Sequence, residues 1–308
     1  MTRLVVLFLI LTGCHSSPAQ SPKKISVNHN DPASGYYLVI KPATDKIKGV
    51  LVLLDGFNGN PESVLQETKL PVTAAANGYL TIVAAMGPKM YADSTVVSKL
   101  NLLMDDVKKR FKVNADQFLI GGFSAGGTIA LRYAELAKEM PEKTTVYPKA
   151  VFAVDSPVDI FSIYHFFEEQ IRKNYSDPAV QEAIFVSQLM KQEHGVPDSN
   201  RSTYLQLTPF YEKMEGLGNE KFLKDTPVRL YHDVDINWRL KERLQSGYDA
   251  NLLNASEMIL RLMVLKNKKA EFVSGRKGYR SNGTRHPHSW NIVDEVEFVE
   301  WMKSVFKS

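Results

Sequence analysis

The sequence predicts an α/β fold, a mostly parallel central sheet flanked by helices and carrying a helical cap insertion. Three observations lead there. From Gly35 onward, short apolar runs alternate with longer amphipathic segments, the pattern of strands covered on both faces. One of those runs leads into Gly122-Phe123-Ser124-Ala125-Gly126, a serine set between glycines at the junction of a strand-like and a helix-like stretch. The rhythm then breaks once, over 159–225, where two long helical patterns follow each other with no strand-like run between them.

Strands are predicted over 36–40, 49–54, 80–84, 117–120, 150–154, 228–231 and 270–273, each a short apolar run of strand length. Helices are predicted between them over 61–77, 95–111, 126–138 and 255–265, with a closing helix over 293–306. Pro61 suits the start of the first helix, because its fixed φ and missing N–H cost nothing there, and Asn77-Gly78 suits its end. In the insertion the helical patterns run over 160–174 and 178–193. Lying between two sheet strands, the insertion belongs over the carboxyl edge of the sheet, where ligands bind in open α/β folds. Phe161, Tyr164, Phe166 and Phe167 read as packing residues of an amphipathic helix, with a substrate-lining role as the alternative. No internal repeat is evident.

A chain of 308 residues with a formal charge of +4 can bury one large core and lacks the basic excess of a nucleic-acid binder. Lysines such as those at 266–269 form short spots beside acidic residues, which reads as solvated surface. At the N-terminus, Arg3 precedes an apolar run over 4–11 that is too short to cross a bilayer and reads as the core of a signal peptide. Leu11-Thr12-Gly13-Cys14 resembles a bacterial lipobox, and Cys14 is the only cysteine, so no intrachain disulfide is possible. The expectation is therefore a signal peptide over 1–13, lipidation at Cys14, a flexible tether over 14–30 and a folded domain over 31–308. This would put the protein on the bacterial cell envelope, at the outer membrane or in the periplasm, held to a membrane by its N-terminal lipid anchor.

A serine at a sharp strand-to-helix turn has its hydroxyl thrust outward with a helix N-terminus behind it. The hydroxyl is a weak nucleophile, so Ser124 needs a base within hydrogen-bonding reach and a third group to hold that base. The acid candidates follow predicted strands: Asp235 is favoured over Asp233 because it lies further past the strand at 228–231, and Asp155 with Asp159 is the alternative after the preceding strand. The base belongs near the C-terminus, where Arg285-His286-Pro287-His288-Ser289-Trp290 offers His288 or His286. A His-x-His pair also raises zinc, but no second cluster with metal-ligand spacing accompanies it, so neither metal nor cofactor is expected. An oxyanion hole would draw on the amide of Ala125 and on a second amide from the loop at 55–59, where Phe57 is the expected donor.

With the elbow at Ser124, the acid loop near Asp235 and His288 in that order, the chain resembles the α/β-hydrolase superfamily, in its esterase and lipase-like branch. His288-Ser289-Trp290 is similar to the His-x-Trp found around the catalytic histidine of many esterases, which favours His288 over His286. Asp55-Gly56-Phe57-Asn58-Gly59 departs from the His-Gly-x-Gly type of oxyanion loop usual in this fold, having aspartate where histidine is common. The resemblance implies hydrolysis of a carboxylic ester or related acyl bond in a small-molecule or acylated substrate, through an acyl-serine intermediate. A serine peptidase or carbohydrate deacetylase on the same scaffold is the enzymatic alternative. A noncatalytic surface-binding lipoprotein is the alternative outside enzymes.

Overall fold

The computed structural model describes residues 20–27, 35–249 and 251–307. The expected signal peptide, Cys14 and the first part of the expected tether lie outside the described residues.

Eight strands form one sheet: β1 (Lys23–Ser26), β2 (Tyr36–Ile40), β3 (Val50–Leu54), β4 (Leu80–Ala84), β5 (Phe118–Phe123), β6 (Ala150–Val154), β7 (Val228–His232) and β8 (Ala270–Ser274). Their order is β1-β2-β4-β3-β5-β6-β7-β8. The first two strands pair antiparallel, β2 with β4 as well, and every other neighbouring pair is parallel. The helices are α1 (Pro61–Glu67), α2 (Leu70–Ala76), α3 (Ser94–Phe111), α4 (Ala125–Glu139), α5 (Ile160–Lys173), α6 (Asp177–His194), α7 (Arg201–Leu207), α8 (Ile236–Trp238), α9 (Leu252–Val264) and α10 (Glu295–Lys307).

Side chains on successive strand residues point to opposite faces, so a sheet buried on both sides is apolar at every position. In β3, Val50, Val52 and Leu54 join the core beneath α3, α4 and α9. Leu51 and Leu53 join the opposite core, beneath α1, α2 and α10. The faces of α3 and α10 obey the helical period: Val96, Leu100, Leu103, Met104 and Val107 are buried on the one, and Phe298, Val299, Met302 and Val305 on the other.

Two expectations are corrected here. The stretch expected to be a free tether contains β1, whose Ile25 packs, with Val27, against the core while Lys23 and Lys24 are exposed on the sheet edge. The single helix expected over 61–77 is two helices, broken at Thr68. Pro71 has no N–H to give the carbonyl one turn back, so a continuous helix cannot pass through it. Thr68 adopts an extended conformation there, and its hydroxyl takes the Leu70 amide at 3.1 Å. Between β6 and β7 lie α5, α6 and α7 with no strand among them. They enclose a third apolar cluster containing Phe161, Tyr164, Val186, Met190 and Tyr204 that also buries Ala125, the residue after Ser124.

Candidate active site

β5 runs through both of its glycines and ends at Phe123, and Ser124 turns the chain straight into α4. Ser124 holds φ 52° and ψ −129°, a conformation that costs a non-glycine residue about 1–3 kcal/mol and persists only where its surroundings enforce it. They do. The Ser124 amide donates to Val154 O at 2.9 Å, tying the turn to the end of β6. A Cβ at Gly122 would stand 2.6 Å from the carbonyl oxygens of Leu54 and Gly126, and one at Gly126 would run into those of Leu54 and Asp55. Only residues without a Cβ let α4 start this close to the end of β3. Among residues 118–130 of this strand, turn and helix, Ser124 alone is open to solvent.

The carboxylate beside His288 belongs to Asp155, the residue after β6. His288 Nδ1 is 2.7 Å from Asp155 Oδ2 and His232 Nδ1 is 2.9 Å from Asp155 Oδ1, so one carboxylate is flanked by two imidazoles. Asp155 is 1% exposed. Burial alone would push its carboxyl up, but the hydrogen bonds from His232 and His288 outweigh that and hold it well below the usual carboxylate range. An ionised carboxylate only accepts, so each Nδ1 carries its proton toward Asp155 and His288 Nε2 is left as the basic nitrogen. The Asp155 backbone is fixed as well, its N–H on Tyr231 O at 2.8 Å and its carbonyl taking Asn251 Nδ2 at 3.1 Å. Arg239 Nη2 stands 3.7 Å from Asp155 Oδ2.

The two acids expected from the loop after β7 are engaged elsewhere, which corrects the choice of Asp235. Asp235 is the N-cap of α8, accepting from Trp238 N at 3.0 Å, and its other oxygen is 2.8 Å from Arg285 Nη2. Those contacts hold its carboxyl below its ordinary range, the Trp238 amide foremost. Asp233 accepts from Gly278 N at 2.7 Å and stands 2.7 Å from Arg285 Nη1. Both therefore anchor the loop that delivers His288, and among the described residues neither bonds to it. Asp159, the other alternative, caps α5 through the amides of Phe161 and Ser162. His286 is likewise a support: its Nδ1 takes the His288 amide at 3.2 Å, and its ring meets Trp238 edge-on at 5.0 Å. Burial first, then the charges of Arg280, His288 and Arg243, push its pKa down to about 3, so it stays neutral. His232 is an isolated histidine in the sequence, with no role expected for it, and its one signal is its place at the end of β7 beside the strand that precedes Asp155.

Asp55, the departure in the oxyanion loop, clamps that loop to the histidine loop. Its Oδ1 accepts Trp290 Nε1 at 3.0 Å and its Oδ2 accepts the Ser63 hydroxyl of α1. The His288 ring lies 4.4 Å from that of Phe123, which in turn packs on Trp290. The backbone at Gly56 passes so near the elbow that an added Cβ would sit 3.3 Å from Ser124 Cβ. Among the described residues, no backbone hydrogen bond outside the helices and strands engages the amide of Ala125 or of Phe57.

Ser124, Asp155 and His288 line one cavity of about 130 Å³. Its apolar lining comes from Phe57 and from the insertion, through Ile163, Phe166, Phe167 and Val186; Trp238, Arg239, Arg243, Gln245 and Asn251 line it as well. The aromatic residues of α5 thus divide, Phe166 and Phe167 lining the cavity while Phe161 and Tyr164 pack inside the cap. Among the described residues, no group of three or more His, Cys, Asp or Glu side chains is placed to hold a metal ion. No described helix is long and apolar enough to cross a membrane.

No family model matches the chain, and no curated protein matches it in sequence. Solved structures do match in shape. MPT51 of Mycobacterium tuberculosis superposes with a TM-score of 0.58 over 94% of this chain and 98% of its own, at 13% identity. An esterase/lipase from an uncultured bacterium gives 0.57 over 94% and 85%, at 10% identity. An alpha-beta hydrolase from Vibrio vulnificus gives 0.50 over 88% and 76%, at 14% identity. At such identities the likeness is one of architecture, and together with the strand order and the elbow it means that the chain adopts the α/β-hydrolase fold.

Proposed function

We propose that the protein is a serine hydrolase that cleaves a carboxylic ester through an acyl-serine intermediate, with Ser124 as nucleophile, His288 as base and Asp155 as the acid that orients it. The observation that carries this is the 2.7 Å contact between His288 Nδ1 and a buried, ionised Asp155, made at the wall of the cavity onto which Ser124 opens. In the first step Ser124 Oγ attacks the ester carbonyl and its proton passes to His288 Nε2. The carbonyl oxygen takes up the negative charge, which the amides of Ala125 and Phe57 receive. As the C–O bond breaks, His288 returns the proton to the departing alkoxide and the alcohol leaves. Water then attacks the acyl-serine with His288 again as base, releasing the acid and restoring Ser124. Throughout, Asp155 keeps its charge and stabilises the imidazolium, and His232 positions Asp155 from behind. The lipid anchor on the cell envelope is the companion proposal, resting on the Leu11 to Cys14 motif alone.

The test is turnover of p-nitrophenyl acetate and butyrate together with labelling by a fluorophosphonate. Wild type should hydrolyse the esters and take up one label, and Ser124→Ala should lose about 10⁴-fold or more in kcat and not label. Wild type that neither turns over nor labels would refute the reading.

A further inference from the structure

Arg239 and Arg243 lie on a single π-turn, Arg239–Arg243, directly after α8, and both line the cavity that holds Ser124 and His288. Buried arginines are almost always paired, yet Arg239 is 9% exposed and its guanidinium makes no hydrogen bond to any described residue. Its Nε is shut off from solvent and has no partner. The nearest opposite charge, Asp155 Oδ2 at 3.7 Å, is beyond hydrogen-bond reach and already accepts from His288. Arg243 forms no ion pair among the described residues. Against these two cations the cavity sets Asp155, whose oxygens are committed to two imidazoles, and Glu182, an exposed side chain of α6. The half-buried His286 also feels Arg243: burial foremost, then the charges of Arg280, His288 and Arg243, keep its ring neutral. The apolar lining from Ile163, Phe166, Phe167 and Val186 suits a short hydrocarbon segment.

Resting on the hydrolase reading, we propose that the substrate is an ester bearing an anionic group, a carboxylate or a phosphate, which Arg239 and Arg243 hold while the ester carbonyl lies at Ser124. Guanidinium donors match either oxyanion in a bidentate fork, and a dry site strengthens the pairing. The anion would meet the Arg239 guanidinium through its Nη atoms, Nε being closed to solvent.

The experiment compares 4-nitrophenyl hydrogen glutarate with the neutral 4-nitrophenyl valerate. Wild type should favour the anionic ester by about tenfold in kcat/KM, a preference that shrinks between about 0.05 and 0.5 M salt. Arg243→Gln and Arg239→Gln should each lower the ratio of the two kcat/KM values. In parallel, calorimetry on Ser124→Ala compares monomethyl glutarate, dimethyl glutarate and inorganic phosphate. Tighter binding of the monoester than of the diester supports a carboxylate, and tighter binding of phosphate than of either supports the phosphate form. Equal binding of all three, with a ratio that the arginine variants leave unchanged, overturns the anion site while leaving the esterase reading intact. Binding of an anion without hydrolysis of either ester would remove the hydrolase reading and keep the site.

Discussion

Asp155→Asn separates the two acids that the chain offers for one role. Asparagine keeps the shape of the side chain but loses its charge, and it can present an N–H where His288 Nδ1 needs an acceptor. The imidazolium formed in each transition state would then lose its partner. At the observed 2.7 Å, and with an effective dielectric of about 20, the lost attraction is about 6 kcal/mol. Asparagine's own carbonyl recovers part of this, so kcat should fall by about 10³ to 10⁴, or about 4–5.5 kcal/mol. Asp235→Asn is the matched control. Asparagine caps a helix as well as aspartate does, so the bond from Trp238 N survives and only the partly exposed pairing with Arg285 weakens, a loss of under about 1 kcal/mol. Turnover there should fall less than about fivefold. Both variants are assayed with p-nitrophenyl butyrate after near-UV circular dichroism has shown native packing. A loss of about 10³ in Asp235→Asn beside less than tenfold in Asp155→Asn would refute the assignment.

Two further outcomes follow from His232 and His286. His232→Gln removes the second hydrogen bond to the carboxylate, and kcat should fall about tenfold with KM little changed, since a bond to a charged group contributes about 1.5–3 kcal/mol and glutamine restores only part of it; unchanged kcat would remove the positioning role. His286, neutral in the fold with its pKa at about 3, takes up a proton near pH 6.5 once unfolded, so the unfolded state binds more protons between those values and stability is lost as pH falls from about 6.5. The urea midpoint of wild type should therefore drop between about pH 7.5 and 5 by more than that of His286→Gln, by less than the full one-proton slope because the ring is partly open to water, and an equal drop would refute it.

The architecture and the elbow were legible because both are local. Strands buried on two faces announce themselves as apolar runs, and a turn that excludes Cβ atoms on either side of a serine demands the glycines at 122 and 126. β1 was illegible because its signal is two apolar residues, Ile25 and Val27, that become meaningful only when the core they pack on exists. The carboxylate that meets His288 was illegible for a related reason. β6 and β7 run parallel with Val154 opposite Tyr231, so their ends deliver Asp155 and His232 side by side, with Asp233 and Asp235 one and three residues further on. Several carboxylates thus reach the carboxyl edge of the sheet within a few residues of a strand end, and distance along the chain cannot rank them. What ranks them is competition for donors. Arg285 and the amides of Gly278 and Trp238 claim the two aspartates of the β7 loop, and in doing so they hold the loop of His288 at the height where the remaining carboxylate, Asp155, is the one its Nδ1 meets. The residues that look most like the catalytic acid in sequence are in this way what places the histidine against a different carboxylate.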